Sequence, residues 1–230
     1  AQPDDLEAHW KRVRARWFAG EYVREGGEAE STSFDPAVQA SREAFEATAR
    51  RLGIDRETLG ELSPEEMASR VPETLRHDVA GVYFWSAVAW GAWGREGGLL
   101  DLAREGVAGR LYRYARIARA LEPGFESGGP QRLLARLHAT MPQVPFVTGW
   151  VDRSRAVPIA EEAYQRAPDH AGNRLLLAIT LLDLAPERRA QALRLLEQVA
   201  SLEPDGPDVV EDLSLREEAR ARLAQEGGAR

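Results

Sequence analysis

The sequence predicts an all-α protein, an array of helical hairpins around an apolar, aromatic-rich central helix. Three observations carry that expectation. Almost every segment repeats its apolar residues at the helical period, and none alternates convincingly as a strand would. One uncharged run of fifteen residues, Val79 to Trp93, is apolar on every side, the mark of a helix surrounded by protein. Proline-marked helix ends recur at Pro123, Pro168 and Pro204. With 230 residues, length allows one domain or at most two small ones. Residues 1–230 are read as a single domain: N-terminal helices over 1–72, the central helix and its partner over 73–121, and repeats with a capping helix over 122–230.

Each element has its own signal. Asp4 or Asp5 can cap a first helix bearing Leu6, Trp10, Val13 and Trp17 on one side, which should end at Gly26-Gly27. A polar loop, Glu28 to Ser33, follows. Asp35, with Pro36 as first helical residue, starts a helix running to about Leu52. Ser63-Pro64-Glu65-Glu66 opens a short helix that Pro72 closes. The central helix lies within Glu73 to Arg95 and carries Tyr83, Phe84, Trp85, Trp90 and Trp93 among small residues. Its Gly81, Gly91 and Gly94 each cost roughly 1 kcal/mol against alanine, a cost that close backbone approach by a neighbouring helix would offset. After a break at Gly97-Gly98, a helix from Leu99 or Leu100 to Leu121 buries Val107, Leu111, Tyr114, Ala118 and Leu121. On its other side Arg110, Arg113, Arg116 and Arg119 spiral across an exposed face, read as solvated, with an acidic partner or an anionic head group as the alternative.

The marked prolines lie 45 and 36 residues apart, and the longer spacing contains an insertion, Met141 to Gly149. Removing it leaves two units of about 36 residues, close to the roughly 34 of a tetratricopeptide repeat. Ala160, Ala163 and Tyr164 precede Pro168; Leu175, Ala178, Ile179 and Leu182 form the next helix; Ala192, Leu196 and Val199 precede Pro204. Small residues there let paired helices nest, so the array is read as tetratricopeptide-like, without the full Trp-Leu-Gly-Tyr pattern. A helix from about Asp212 to Gln225 would cap it.

Chemistry is mostly excluded. The formal charge of −7 argues against nucleic acid, whose binding rests on cationic contacts. Lys11 is the sole lysine and the other 29 basic residues are arginine, a coding habit more than a function. No cysteine is present, which removes disulfides, thiolate metal sites and cysteine nucleophiles. His9, His77, His138 and His170 include no i, i+4 metal pair. Neither a Gly-x-Ser-x-Gly elbow nor a phosphate loop occurs, and Gly128-Gly129-Pro130-Gln131-Arg132 reads as a helix-starting turn. The chain is therefore read as a non-enzyme without cofactor or metal. Its opening, Ala1-Gln2-Pro3-Asp4-Asp5, fits either cleavage of a signal peptide or trimming for other reasons. The Val79 to Trp93 run falls short of the roughly 20 residues a bilayer span needs.

Trp10, Trp17, Trp85, Trp90, Trp93 and Trp150 admit two readings, a packed core or the lining of an apolar pocket. Tyr83, Trp85, Trp90, Trp93, Tyr112 and Tyr114 are the candidate lining residues.

The aromatic helix, the Leu121-Glu122-Pro123-Gly124-Phe125 end, the Gly128-Gly129-Pro130…Arg132 turn, the insertion with Gly149…Asp152 and the Ala160…Ala163 helix ending at Pro168 occur together. In that combination the chain resembles the T component family associated with tripartite ATP-independent periplasmic (TRAP) transporters, over roughly Leu75 to Gln225. The resemblance implies an all-helical periplasmic protein, commonly a lipoprotein and able to form a homotrimer. It would act beside the transporter's extracytoplasmic substrate-binding protein and pass a hydrophobic ligand. Two departures stand out. No N-terminal cysteine is present, so either the lipid-bearing segment was removed or the protein is free of the membrane, and the family's Gly-Asp is spread as Gly149-Trp150-Val151-Asp152. The leading expectation is thus a non-enzymatic periplasmic accessory protein that binds or relays a hydrophobic small molecule and docks a substrate-binding subunit. The competing one is a tetratricopeptide-like scaffold gripping a peptide or protein in a concave groove, with no small-molecule cavity.

Overall fold

The computed structural model describes residues 4–23, 33–97 and 106–228. Among these residues there are eleven α-helices and no strand, so the protein is all-α. The expected break at Gly26-Gly27, most of the Glu28 to Ser33 loop, and the expected helix start at Leu99 or Leu100 lie outside the described residues. The chain divides into two compact units, residues 1–125 with 144–149, and residues 126–143 with 150–230.

The first unit holds α1 (Leu6–Tyr22), α2 (Asp35–Leu52), α3 (Arg56–Glu61), α4 (Pro64–Arg70), α5 (Arg76–Gly97) and α6 (Val107–Leu121). Local chemistry sets their ends. Asp5 caps α1 by accepting from the Ala8 amide at 3.1 Å. α4 starts where the Ser-Pro-Glu-Glu run predicts, and Ser63 and Glu66 close a reciprocal capping box on it. The short α3 has no counterpart in the sequence reading; Asp55 caps it through the Thr58 amide, and a six-residue helix is too short for a periodic pattern. Asp35 differs from expectation. It lies inside α2 without capping it, and its carboxylate instead accepts from the Trp93 indole at 2.9 Å.

α5 is the centre of this unit, packed against α1, α2 and α6. Pairs along its length give the directions. Trp17–Trp85 and Glu21–Arg95 run it parallel to α1. Phe45–Tyr83 and Asp35–Trp93 make it antiparallel to α2, and Tyr83–Tyr114 with Trp90–Arg110 makes it antiparallel to α6. From Val79 to Trp90 only Val88 is not fully buried, as an all-round apolar helix requires. The close approach expected at Gly81 comes from a ring and not from backbone: a Cβ there would lie 2.7–2.9 Å from Trp10. At Gly91 a Cβ would stand 3.7 Å from Leu111, ordinary contact distance.

The second unit is built from α7 (Gly129–Thr140), α8 (Ala156–Arg166), α9 (Ala171–Leu184), α10 (Arg189–Ala200) and α11 (Val209–Gly228). Each packs on the next, and α9 also touches α7 and α11. The small residues Ala160, Ala163, Ala178 and Ala192 sit fully buried at these contacts, so the helix axes approach closely. The last helix is longer than expected at both ends and is tied back by Arg189 to Glu226 and Arg222 to Asp183.

Candidate functional site

The aromatic positions on α5 and α6 fall into four environments. Tyr83 is wholly buried, edge-on to Phe45 at 4.9 Å and to Tyr114 at 5.3 Å, while Phe45 and Tyr114 stand 4.9 Å apart. Edge-to-face rings at such separations are mutually attractive and leave little between them. Trp85 faces α1, 5.4 Å from Trp17 and 5.3 Å from the Arg14 guanidinium. Trp90 and Trp93 pair at 5.5 Å near the end of α5, and Trp90 carries Arg110 at 4.0 Å and Arg42 at 5.5 Å. Tyr112 is half-buried with Arg116 5.7 Å from its ring.

This arrangement follows from helix phase. Tyr83 and Trp90 are seven residues apart and share a face, whereas Trp85 is turned toward α1. Phe45, missing from the candidate list, was detectable as part of the α2 stripe with Val38, Ser41 and Thr48, all buried.

Three hydroxyls stand out. Tyr83 OH, Ser41 Oγ and Ser86 Oγ are buried and find no hydrogen-bond partner among the described residues. Ser86 lies one turn from both Tyr83 and Trp90. The antiparallel register of α2 on α5, pinned by Phe45–Tyr83 and Asp35–Trp93, brings Ser41 within a turn of Ser86. Buried polar groups are normally paired, and an orphan at this depth costs about 1–3 kcal/mol. Burial pushes the phenols of Tyr83 and Tyr114 above their usual range, so both stay protonated at neutral pH.

The arginine face of α6 is only partly solvated, which corrects the sequence expectation. Arg116 is exposed and pairs with Glu65 at 3.2 Å. Arg113 reaches inward and donates to the Leu59 and Leu62 carbonyls at 2.9 and 2.7 Å, closing the C-terminal end of α3. Arg110 lies half-buried on Trp90. A long side chain can leave the angular position its residue number assigns, because its stem packs on apolar surface.

The Gly128-Gly129-Pro130-Gln131-Arg132 run is a latch. Glu126, Ser127 and Gly128 take φ of 46°, 55° and 86°, three consecutive left-handed residues. For Glu126 and Ser127 that costs roughly 1–2 kcal/mol each. Arg132 compensates by donating to the Glu126 carbonyl at 2.8 Å, the Ser127 carbonyl at 3.1 Å and Asn173 Oδ1 at 2.8 Å. The Asn173 amide donates to the carbonyls of Ser127, Ala163 and Ala167 at 2.9–3.0 Å. At Gly128 the φ of +86° is what calls for glycine, since a Cβ there would meet the Ala163 Cα at 3.4 Å, the edge of ordinary contact. Burial lowers the Arg132 pKa to about 10, which leaves it charged at neutral pH. Burial first, and Arg132 second, lower His170 to about 4 and hold it neutral. Arg132 and Asn173 thus hold the turn's backbone, while Gln131 donates to Glu162 at 3.0 Å and its Oε1 is buried without a partner among the described residues.

Among the described residues, no group of three or more His, Asp or Glu is placed to hold a metal ion, and no helix is long and apolar enough to cross a membrane. No protein-family model matches the chain, and no curated protein matches it.

Proposed function

We propose that this chain is a non-enzymatic, extracytoplasmic accessory protein of a TRAP-type transport system, docking a substrate-binding subunit on a tetratricopeptide-like array. The observation that supports this reading is the stacking in the second unit, where successive helices pair and α9 touches α7 and α11. Such a quasi-one-dimensional stack offers an extended surface to a partner, while its buried alanines serve only the stack. The rings of Tyr83, Tyr114 and Phe45 fill one another's space, which favours the docking role over an open chamber. Calorimetric titration of the purified chain with the purified substrate-binding subunit of its own organism's transporter tests the reading. Saturable binding supports it; affinity weaker than about 1 mM, or about 4 kcal/mol, overturns it.

A second reading, relay of a hydrophobic small molecule, draws on the three unpartnered hydroxyls of Tyr83, Ser41 and Ser86. A mainly apolar ligand with one polar group would satisfy them and lie against the indoles. Native mass spectrometry of gently purified protein discriminates: a small apolar adduct lost on activation favours relay, and a bare chain that still binds the subunit favours docking alone. The same spectrum gives the oligomeric state, for which the family resemblance suggests a homotrimer.

A further inference from the structure

The insertion places its most apolar residue in water. Phe146 is fully exposed, at 106% of its reference area, with Val144 and Val147 42% and 45% exposed on either side. Its φ is +64°, a left-handed conformation that a bulky non-glycine residue adopts only when its surroundings impose it. The surroundings are identifiable. The Val144 amide donates to Thr148 Oγ at 2.7 Å, and the Thr148 and Val147 amides donate back to the Val144 carbonyl at 2.8 and 3.2 Å. These three bonds close Val144–Thr148 into a ring of chain, and Thr148 is itself only 2% exposed. Backbone strain, a closed clamp and a buried anchor together hold one phenyl ring outward.

We infer that the Val144–Phe146–Val147 tip is a preformed anchor that inserts Phe146 into a ring-sized apolar pocket of a protein partner, and we identify that partner with the docked substrate-binding subunit; in this the inference rests on the function proposed above. A lipid surface is the poorer occupant for two reasons. A bilayer accepts an apolar side chain in any orientation, so a fixed and strained backbone gains nothing there, whereas a shaped pocket rewards preorganisation. From Met141 to Val151 the chain carries no charged residue, so the tip itself offers no cation to anionic head groups. One aromatic ring ringed by smaller apolar side chains matches the hot-spot pattern of protein interfaces.

The test compares wild type with Phe146→Gly and Thr148→Val by calorimetric titration against that substrate-binding subunit, alongside sedimentation with phosphatidylethanolamine–phosphatidylglycerol vesicles. Glycine relieves the left-handed strain, so Phe146→Gly should melt no lower than wild type yet bind roughly 50-fold more weakly. Thr148→Val keeps the ring and loses the clamp acceptor, and should weaken binding roughly 3–10-fold. Unchanged binding by Phe146→Gly, with wild type binding well, overturns the anchor and leaves the docking function standing. A wild type that does not bind the subunit overturns both. Vesicle binding by wild type that Phe146→Gly abolishes, without an effect on the subunit, replaces the protein pocket by lipid and also overturns the inference.

Discussion

Replacing Gly81 by alanine puts the packing of α1 on α5 to a quantitative test. A new Cβ at 81 would lie 2.7, 2.8 and 2.9 Å from three atoms of the Trp10 ring, closer than real Cβ contacts come. The indole has little room to yield. It is 6% exposed, its Nε1 donates to Asp78 at 3.2 Å, and Phe125 stands edge-on at 5.6 Å. Overpacking of this kind costs roughly 1–3 kcal/mol, and removing a mid-helix glycine returns about 1 kcal/mol. The net expectation for Gly81→Ala is no gain and a loss of up to about 2 kcal/mol. Gly91→Ala is the matched control, because its Cβ would meet Leu111 at a comfortable 3.7 Å and only the helix term remains. It should gain about 0.5–1 kcal/mol. Five of the six tryptophans lie in residues 1–125, so urea unfolding followed by tryptophan fluorescence reads chiefly the unit that contains both sites. The contrast between the two is what matters. If Gly81→Ala stabilises as much as Gly91→Ala does, Trp10 does not rest on Gly81 and the packing argument fails.

Three further outcomes follow from the same geometry. Trp90→Ala should cost about 3–5 kcal/mol of stability by thermal melting, as a 5%-exposed indole does when truncated; a small loss of stability with a large loss of ligand binding would instead make Trp90 a lining residue. Arg132→Met should cost about 2–4 kcal/mol, measured by far-ultraviolet circular dichroism in urea, with Arg132→Lys intermediate, because three hydrogen bonds from a charged donor are lost and the buried Asn173 Oδ1 loses its donor; an unaffected midpoint would refute the latch. His170 predicts a pH dependence. Its folded pKa of about 4 lies below the ordinary 6.5, so the unfolded chain binds the proton first, and stability present above pH 6.5 is lost as pH falls toward 4. Allowing for its partial exposure, roughly 1–2 kcal/mol is at stake, and His170→Asn should flatten the melting temperature between pH 7 and 4.5; parallel curves for the two proteins would sink the assignment.

How far sequence reached depended on how local the cause was. The start of α4 at Ser63-Pro64, the helix ends before Pro123, Pro168 and Pro204, and the α6 stripe of Val107, Leu111, Ala118 and Leu121 were all legible. Capping joins atoms three residues apart, and burial on one face follows the helical period, so both are written in short windows. Even the burial of the Val79 to Trp90 stretch could be read, since no side of such a helix suits water.

The candidate site was less legible, because its terms join distant positions. Tyr83 and Tyr114 meet directly, with Phe45 of α2 packed against both, and Trp85 faces α1. The reason for Gly81 lies at Trp10, and Asp35 serves Trp93 instead of its own helix. Arg113 left the solvated face for two carbonyls more than fifty residues away in the chain. The left-handed turn at Glu126 and Ser127 exists only because Arg132 and Asn173 grip its carbonyls, and Asn173 is 46 residues from Ser127. By itself, then, the sequence determined an all-helical protein, most of its helix ends and its buried stripes, because propensity, capping and periodicity act over a few residues. Which ring meets which, which arginine leaves the solvent and which backbone strain is held were decided by tertiary structure alone, because each depends on a partner whose nearness only the packed chain creates.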